Sequence, residues 1–269
     1  MWTRYWIGVV ALAMTAGCQH AHRDAFTSQF AGSVERAHHA EIWRAQQAVQ
    51  ADITVTMLGQ QVIDGNMIFT TDGKLARLDQ LNGGSVVFDG LRAWVTPAYA
   101  PLQDGRHHVR TWTYLAALPM HLADPRPAGQ PNAPGTHLTD LGLRKLGDRS
   151  YYASRLTFDP GARDTHNDWF ILYADLKTHR LAAAAYIDTH GRTVEEAQRH
   201  PQAVVFEDFR DVEGVVLATR WVFYAWNETD GIHGEPIGAG RLTNIRFVTP
   251  LANTFLRPED ARLDPAQSQ

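Results

Sequence analysis

Along one stretch of this 269-residue chain apolar side chains recur at every second position between tight-turn dipeptides, and a second stretch further on carries strand-length apolar runs bounded by turns. A period of two lines one face of a β-strand and cannot line one face of a helix. Ile53, Val55 and Met57 alternate with polar residues, and Gly59-Gln60 turns the chain. The next run carries Met67 and Phe69 on one face and ends at Asp72-Gly73, a strong hairpin signal. Lys74 to Leu81, Ser85 to Phe88 and Arg92 to Thr96 follow, separated by Asn82-Gly83-Gly84 and Asp89-Gly90. The second stretch holds Ser150 to Phe158, Trp169 to Ala174, Arg180 to Ile187, Ala203 to Arg210, Val215 to Trp226 and Gly240 to Val248. Its connections include Asp175 to His179 and Asp211 to Gly214. A sheet of about ten antiparallel strands curls or closes rather than staying flat. The expected fold is mostly β (α+β): a single antiparallel sheet curled into an open, incomplete β-barrel.

Two segments depart from that period. Ser33 to Gln50 reads as a helix, with Ser33 as cap, Glu35 in the first turn and no Gly or Pro inside. Arg106 to Leu118 carries Val109, Trp112, Leu115 and Leu118 near helical spacing, and Pro119 limits it. Both helices are expected on the concave side of the sheet. Asp124 to Gly135 is dense in Pro, Gly and Ala and reads as a loop. The folded domain is expected over residues 33–258, with a polar tail over 259–269.

The N-terminus adds an address. Arg4 precedes an apolar run from Tyr5 to Met14, and Ala16-Gly17-Cys18 closes it. A spanning helix needs roughly 20 apolar residues, so this run is a signal-peptide core. Small residues before a cysteine resemble the bacterial lipobox, although Met14 and Thr15 depart from its usual choices. The resemblance implies cleavage after residue 17, lipidation of Cys18 and a lipidated tether over residues 18–32. Cys18 is the chain's one cysteine, so once acylated it leaves no thiol to mispair in an oxidising compartment. Gln19 stands where Asp resembles an inner-membrane retention signal. The expected location is the envelope, anchored to the outer membrane and facing the periplasm. The formal charge of −4 and the absence of a Lys/Arg-rich run argue against a nucleic-acid partner.

Four segments resemble a known family. They are Phe88-Asp-Gly-Leu-Arg-Ala-Trp94-Val-Thr-Pro97, Leu115-Ala-Ala-Leu-Pro119-Met-His-Leu122-Ala-Asp124-Pro, Trp169-Phe-Ile-Leu-Tyr173-Ala-Asp175-Leu-Lys-Thr178 and Phe206-Glu-Asp-Phe209-Arg-Asp-Val-Glu-Gly214. They are similar to exported bacterial lipoproteins grouped with the Lol (LolA/LolB-like) lipoprotein carriers. The similarity runs from roughly Trp43 to Leu256. It implies an unclosed β-barrel lidded by helices, and no functional residue of the carriers transfers onto this sequence.

An open barrel lined by aromatics suits an apolar ligand. On Val215 to Trp226 the odd positions Leu217, Trp221 and Phe223 are apolar, while Arg220 suggests that the other face is partly wet. With Met67, Phe69, Phe88, Trp94, Trp112 and Phe170 they form the candidate ligand-binding set, although for any one of them ordinary core packing is the more favoured reading. The 13 histidines are scattered. Glu35 with His39, and His38 with Glu41, have spacings that share a helix face. No third ligand follows, so solvated helix surface is expected there, and His107-His108 reads as the exposed approach to the second helix. No metal or cofactor is assigned. Nucleophile elbows, phosphate loops and dinucleotide loops are missing, and Glu207-Asp208 point to opposite faces of a strand. The readings are a binder of lipid or lipoprotein acyl chains, a non-catalytic adaptor or sensor for an envelope protein partner, and, last, an enzyme.

Overall fold

The structure is a computed structural model that describes residues 29–264 except 82, 123–134, 163 and 166. The signal peptide, Cys18, most of the tether and most of the Asp124–Gly135 loop lie outside the described residues.

Thirteen strands form one antiparallel sheet among the described residues, in the order β13-β5-β4-β3-β2-β1-β12-β11-β10-β9-β8-β7-β6. The first arm contains β1 (Ala48–Met57), β2 (Gln60–Thr70), β3 (Ala76–Gln80), β4 (Gly84–Phe88) and β5 (Ala93–Thr96). The second contains β6 (Thr136–Leu146), β7 (Arg149–Phe158), β8 (Phe170–Asp175), β9 (Leu181–Tyr186), β10 (Gln202–Val212) and β11 (Val215–Asn227). The 18-residue β12 (Gly231–Val248) joins the arms by pairing with β1 and β11, and β13 (Arg262–Asp264) extends the first arm beyond β5. β6 and β13 are the two free edges, so the barrel is open.

The connectivity forces a crossing. β5 lies near one edge and β6 is the other edge, yet they are consecutive in the chain. The segment between them therefore passes over the sheet, and it carries α3 (Gly105–Ala117) and the 3-10 turn Leu118–Met120. Two further helical pieces share that face: α1, residues 29–37, and α2 (Ala40–Ala45). A short α4 (Val194–Arg199) lies between β9 and β10, closed by a capping box of Thr193 and Glu196.

Several expectations are corrected. The single helix expected over Ser33–Gln50 is two pieces, because His39 takes a left-handed backbone (φ 57°), and β1 already begins at Ala48. Helix starts inside the segment read as tether, and β13 lies inside the segment read as polar tail. The fold therefore reaches past 33 and 258 at both ends. β6 has no counterpart in the sequence reading, and β12 begins at Gly231 rather than Gly240.

The main core lies between the helices and one face of the sheet. Phe30, Val34 and Trp43 from α1 and α2, and Val109, Trp112 and Leu115 from α3, pack on residues of both arms. A second, smaller apolar cluster contains Tyr151, Ile171, Tyr173, Ala183, Ala203 and Trp226. Ile171 alternates with Phe170 and Leu172 of the main core, which places this cluster on the opposite face.

Candidate functional site

Eight of the nine candidate ligand residues fall in the main core: Met67, Phe69, Phe88, Trp112, Phe170, Leu217, Trp221 and Phe223. Strand alternation brings them there from β2, β4, β8 and β11, and α3 delivers Trp112 edge-on to Phe223 at 6.1 Å. Trp221 lies against Gly240 of β12, where a Cβ would come within 2.9 Å of the indole, so only glycine lets the ring seat there. Trp94 stands apart. Its neighbours Ala93 and Val95 face the core, and Trp94 packs on the other side. There it donates Nε1–H to Asp89 (2.8 Å) and lies 4.4 Å beneath the Arg257 guanidinium. The alternate positions of β11 are less wet than Arg220 suggests. Arg220 is half-exposed and paired with Glu207, but Val216, Val222 and Trp226 are buried.

Between α3 and the second arm a cavity of ≈ 10 Å³ remains, lined by His38, Leu115, Pro119, Leu181, Leu217 and Trp221 among others. That is about the room of one water molecule, and apolar space of this size stays empty.

His38 is the residue whose role sequence spacing hides. It is 1 % exposed, against the expected solvated surface. Its Nδ1–H donates to the Val216 carbonyl (2.8 Å), and its Nε2 accepts from the Leu181 N–H (3.0 Å). This pattern requires the neutral ring. Burial holds its pKa at about 4, with the nearby Arg180 and His39 charges acting in the same direction. Glu35 is likewise buried, accepting the Leu122 N–H (2.8 Å) and pairing with Arg44. Arg44 in turn donates to the Met120 carbonyl, and Trp43 Nε1–H donates to Thr71 (2.9 Å). These bonds fix α1 and α2 to the sheet and to the end of the 3-10 turn.

The α3 helix is held differently. Arg106 and Arg110 both pair with Asp164 (2.7 and 3.1 Å) and both lie over the Phe88 ring. The Arg106 N–H is capped by the Asp264 carboxylate (2.7 Å) from β13. His107 stacks on His190 at 3.9 Å and lies 3.4 Å from Asp188. The two histidines expected as an exposed approach are therefore part of the helix and docked. Burial lowers the His108 pKa to about 4, helped by the neighbouring His107. Among the described residues, His108 Nδ1 and Trp112 Nε1 find no hydrogen-bond partner.

An unclosed antiparallel sheet with helices packed on one face is also found in solved structures. A LolA superfamily protein from Nitrosomonas europaea superposes with a TM-score of 0.52 over 84 % of this chain and 97 % of its own, at 12 % identity. The fold is LolA-like. An outer membrane lipoprotein-sorting protein domain from Vibrio parahaemolyticus gives 0.48 over 83 % of this chain and 95 % of its own, at 10 % identity. A DUF1329 family protein from Desulfovibrio piger gives 0.46 over 84 % and 96 %, at 12 % identity. The fold assignment rests on the first. No protein-family model and no curated protein sequence matches the chain. Among the described residues, the LolA-like sheet brings together no group of three or more His, Cys, Asp or Glu suited to a metal ion. No described helix is long and apolar enough to cross a membrane.

Proposed function

We propose that this chain is a lipid-anchored envelope protein that holds an apolar ligand, the acyl chains of a lipid or lipoprotein, on the helix-covered face of its LolA-like sheet. The observation carrying this reading is the strap: α3 crosses an apolar, aromatic-lined face and is tied at its N-terminal end by ion pairs and stacked rings. Displacing it exposes Leu217, Trp221, Phe223 and Phe170. An acyl chain would then replace the contacts of Val109, Trp112 and Leu115, one apolar surface for another, and each methylene withdrawn from water contributes about 0.8 kcal/mol. Binding of this kind needs no charged partner and no catalytic group.

A form beginning at Gln19 contains every described element. Its titration with a fluorescent fatty acid tests the proposal: saturable uptake is expected, and a folded protein without it sinks the carrier reading. The close packing between α3 and the second arm, where a cavity of ≈ 10 Å³ remains, favours a second reading in that event, a non-catalytic adaptor or sensor for an envelope protein. The anchor is separate. Signal cleavage before Cys18 and outer-membrane attachment facing the periplasm are proposed from the sequence, and Cys18→Ser is expected to abolish labelling by a radioactive fatty acid.

A further inference from the structure

The face of the sheet away from the helices carries a groove of ≈ 580 Å³, within the usual size range of small-ligand sites. Its floor belongs to the second apolar cluster. Trp226 and Ile171 are buried there, and Trp169 meets Trp226 edge-to-face at 5.9 Å. One wall is the lip formed by α4 and residues 200–202, fixed by the Thr193–Glu196 capping box and by the Trp226 N–H donating to the Pro201 carbonyl (3.1 Å). The other wall is the β11–β12 hairpin. Two guanidiniums and one carboxylate, that of Glu228 on the β11–β12 side, line the groove. Arg155 lies 5.1 Å over the Trp169 ring, and Arg199 comes from the last turn of α4. Neither makes an ion pair with a described residue, in a chain with 29 acidic against 25 basic side chains. Gln198 also lines it.

We propose that this groove binds an acidic saccharide. A sugar ring is apolar on its faces and polar at its edge. That matches an indole floor bordered by amide and guanidinium groups, where a deep dry cavity would suit an acyl chain instead. The two arginines, which make no ion pair among the described residues, outnumber Glu228 and select the charge: a guanidinium presents a planar fork to a carboxylate and gains strength when both partners are ionised. The groove lies on the opposite side of the sheet from the proposed acyl site, so the two are occupied independently.

Calorimetric titration of the form beginning at Gln19 with digalacturonate, and with the neutral disaccharide cellobiose, tests this. Digalacturonate is expected to bind saturably and cellobiose at least tenfold more weakly. Arg155→Gln and Arg199→Gln are each expected to weaken digalacturonate at least tenfold, and Trp169→Ala to abolish its binding. Both arginines are on the surface, so thermal unfolding of their variants should match the wild type. Trp169→Ala should leave uptake of a fluorescent fatty acid unchanged, which separates failure of this site from failure of the acyl site. Absence of saturable binding, equal binding of cellobiose, or digalacturonate binding that survives the three substitutions overturns the proposal.

Discussion

Residues 29–45 and residues 105–120 cover the same apolar face, but they are attached in opposite ways. The first segment behaves as a plug. His38 satisfies both ring nitrogens against β9 and β11, Glu35 is buried on Arg44 and the Leu122 N–H, and Trp43 bonds Thr71. Every one of those polar groups would lose a buried partner if the plug lifted, at about 1–3 kcal/mol each. The α3 strap buries apolar side chains too; its far end, at Met120 and Leu122, is bonded to the plug through Arg44 and Glu35, and the remaining polar ties lie at its N-terminal end. Arg110 and Asp164 are about a third exposed, and a pair of this kind contributes about 0–1 kcal/mol; Arg106 is more buried, gripping Asp164 with two N–H groups and donating a third to the Leu91 carbonyl. Inside, the strap keeps His108 Nδ1 and Trp112 Nε1 without partners among the described residues, so opening would hydrate atoms that closure leaves unsatisfied. The difference assigns movement to the strap and permanence to the plug.

The largest expected effect comes from removing that movement. A Cβ on Gly105 would lie 2.7 Å from Val86 Cγ2, close enough that cysteines at both positions can bridge β4 to the start of α3 with a small shift. In a form lacking Cys18, oxidised Val86→Cys/Gly105→Cys is expected to lose fatty-acid uptake almost completely, and reduction to restore it. Uptake unchanged by oxidation would mean that the strap does not gate the face.

The next test compares the two tryptophans. Trp43 is 1 % exposed with its N–H bonded, and Trp112 is 7 % exposed with its N–H unpartnered among the described residues. Trp43→Ala is expected to lower the global unfolding free energy by about 3–5 kcal/mol. Trp112→Ala should cost less in urea denaturation and act locally, seen as faster amide exchange confined to α3. Equal losses in denaturation, with no local signature, would erase the distinction between plug and strap.

The first arm was legible from alternation because β1 and β2 bury one face, whereas β8 and β9 bury both faces and were legible from the turns that bound their apolar runs. β6 escapes that reading. As an edge strand it keeps few buried positions, so Thr136 to Leu146 shows no alternation that a core would impose. β13 is three residues long and gains its place only by pairing with β5. Trp94 misleads for a related reason: in a four-residue strand the large side chain looks like the inward one, yet Ala93 and Val95 are what the core admits. His38 and His39 carry no Gly or Pro to announce the break in the helix. Their partners, Val216 and Gly214, lie more than 170 positions away. The lip of the outer groove, in contrast, was written locally. Thr193-Val-Glu-Glu196 is a capping box, and it points to α4 and so to the site that the search for inward aromatics passes over.

The smallest effect expected is a pH dependence that again separates the two segments. His38 has a folded pKa of about 4, lowered by burial from an ordinary 6.5. Between those values the unfolded chain binds a proton that the folded chain refuses, so stability rises with pH across the window. The contribution is complete above pH 6.5 and is lost as pH falls towards 4, by about 3 kcal/mol in all at 1.36 kcal/mol per unit. Because His38 is fully enclosed in the plug, its protonation requires global unfolding, and urea midpoints should fall from pH 7 to pH 4.5. His108 has a similarly lowered pKa but belongs to the strap and is half-buried. It can take its proton by local opening, so its signature should be faster exchange of α3 amides in the same window, corrected for intrinsic rates, with little effect on the urea midpoint. His38→Gln should flatten the pH slope of the urea midpoint, whatever it does to absolute stability. His108→Gln should flatten only the slope of α3 exchange. A His38→Gln variant that retains the wild-type slope would show that another group carries the dependence, and with it that the plug is not the part of the molecule that must unfold to be protonated.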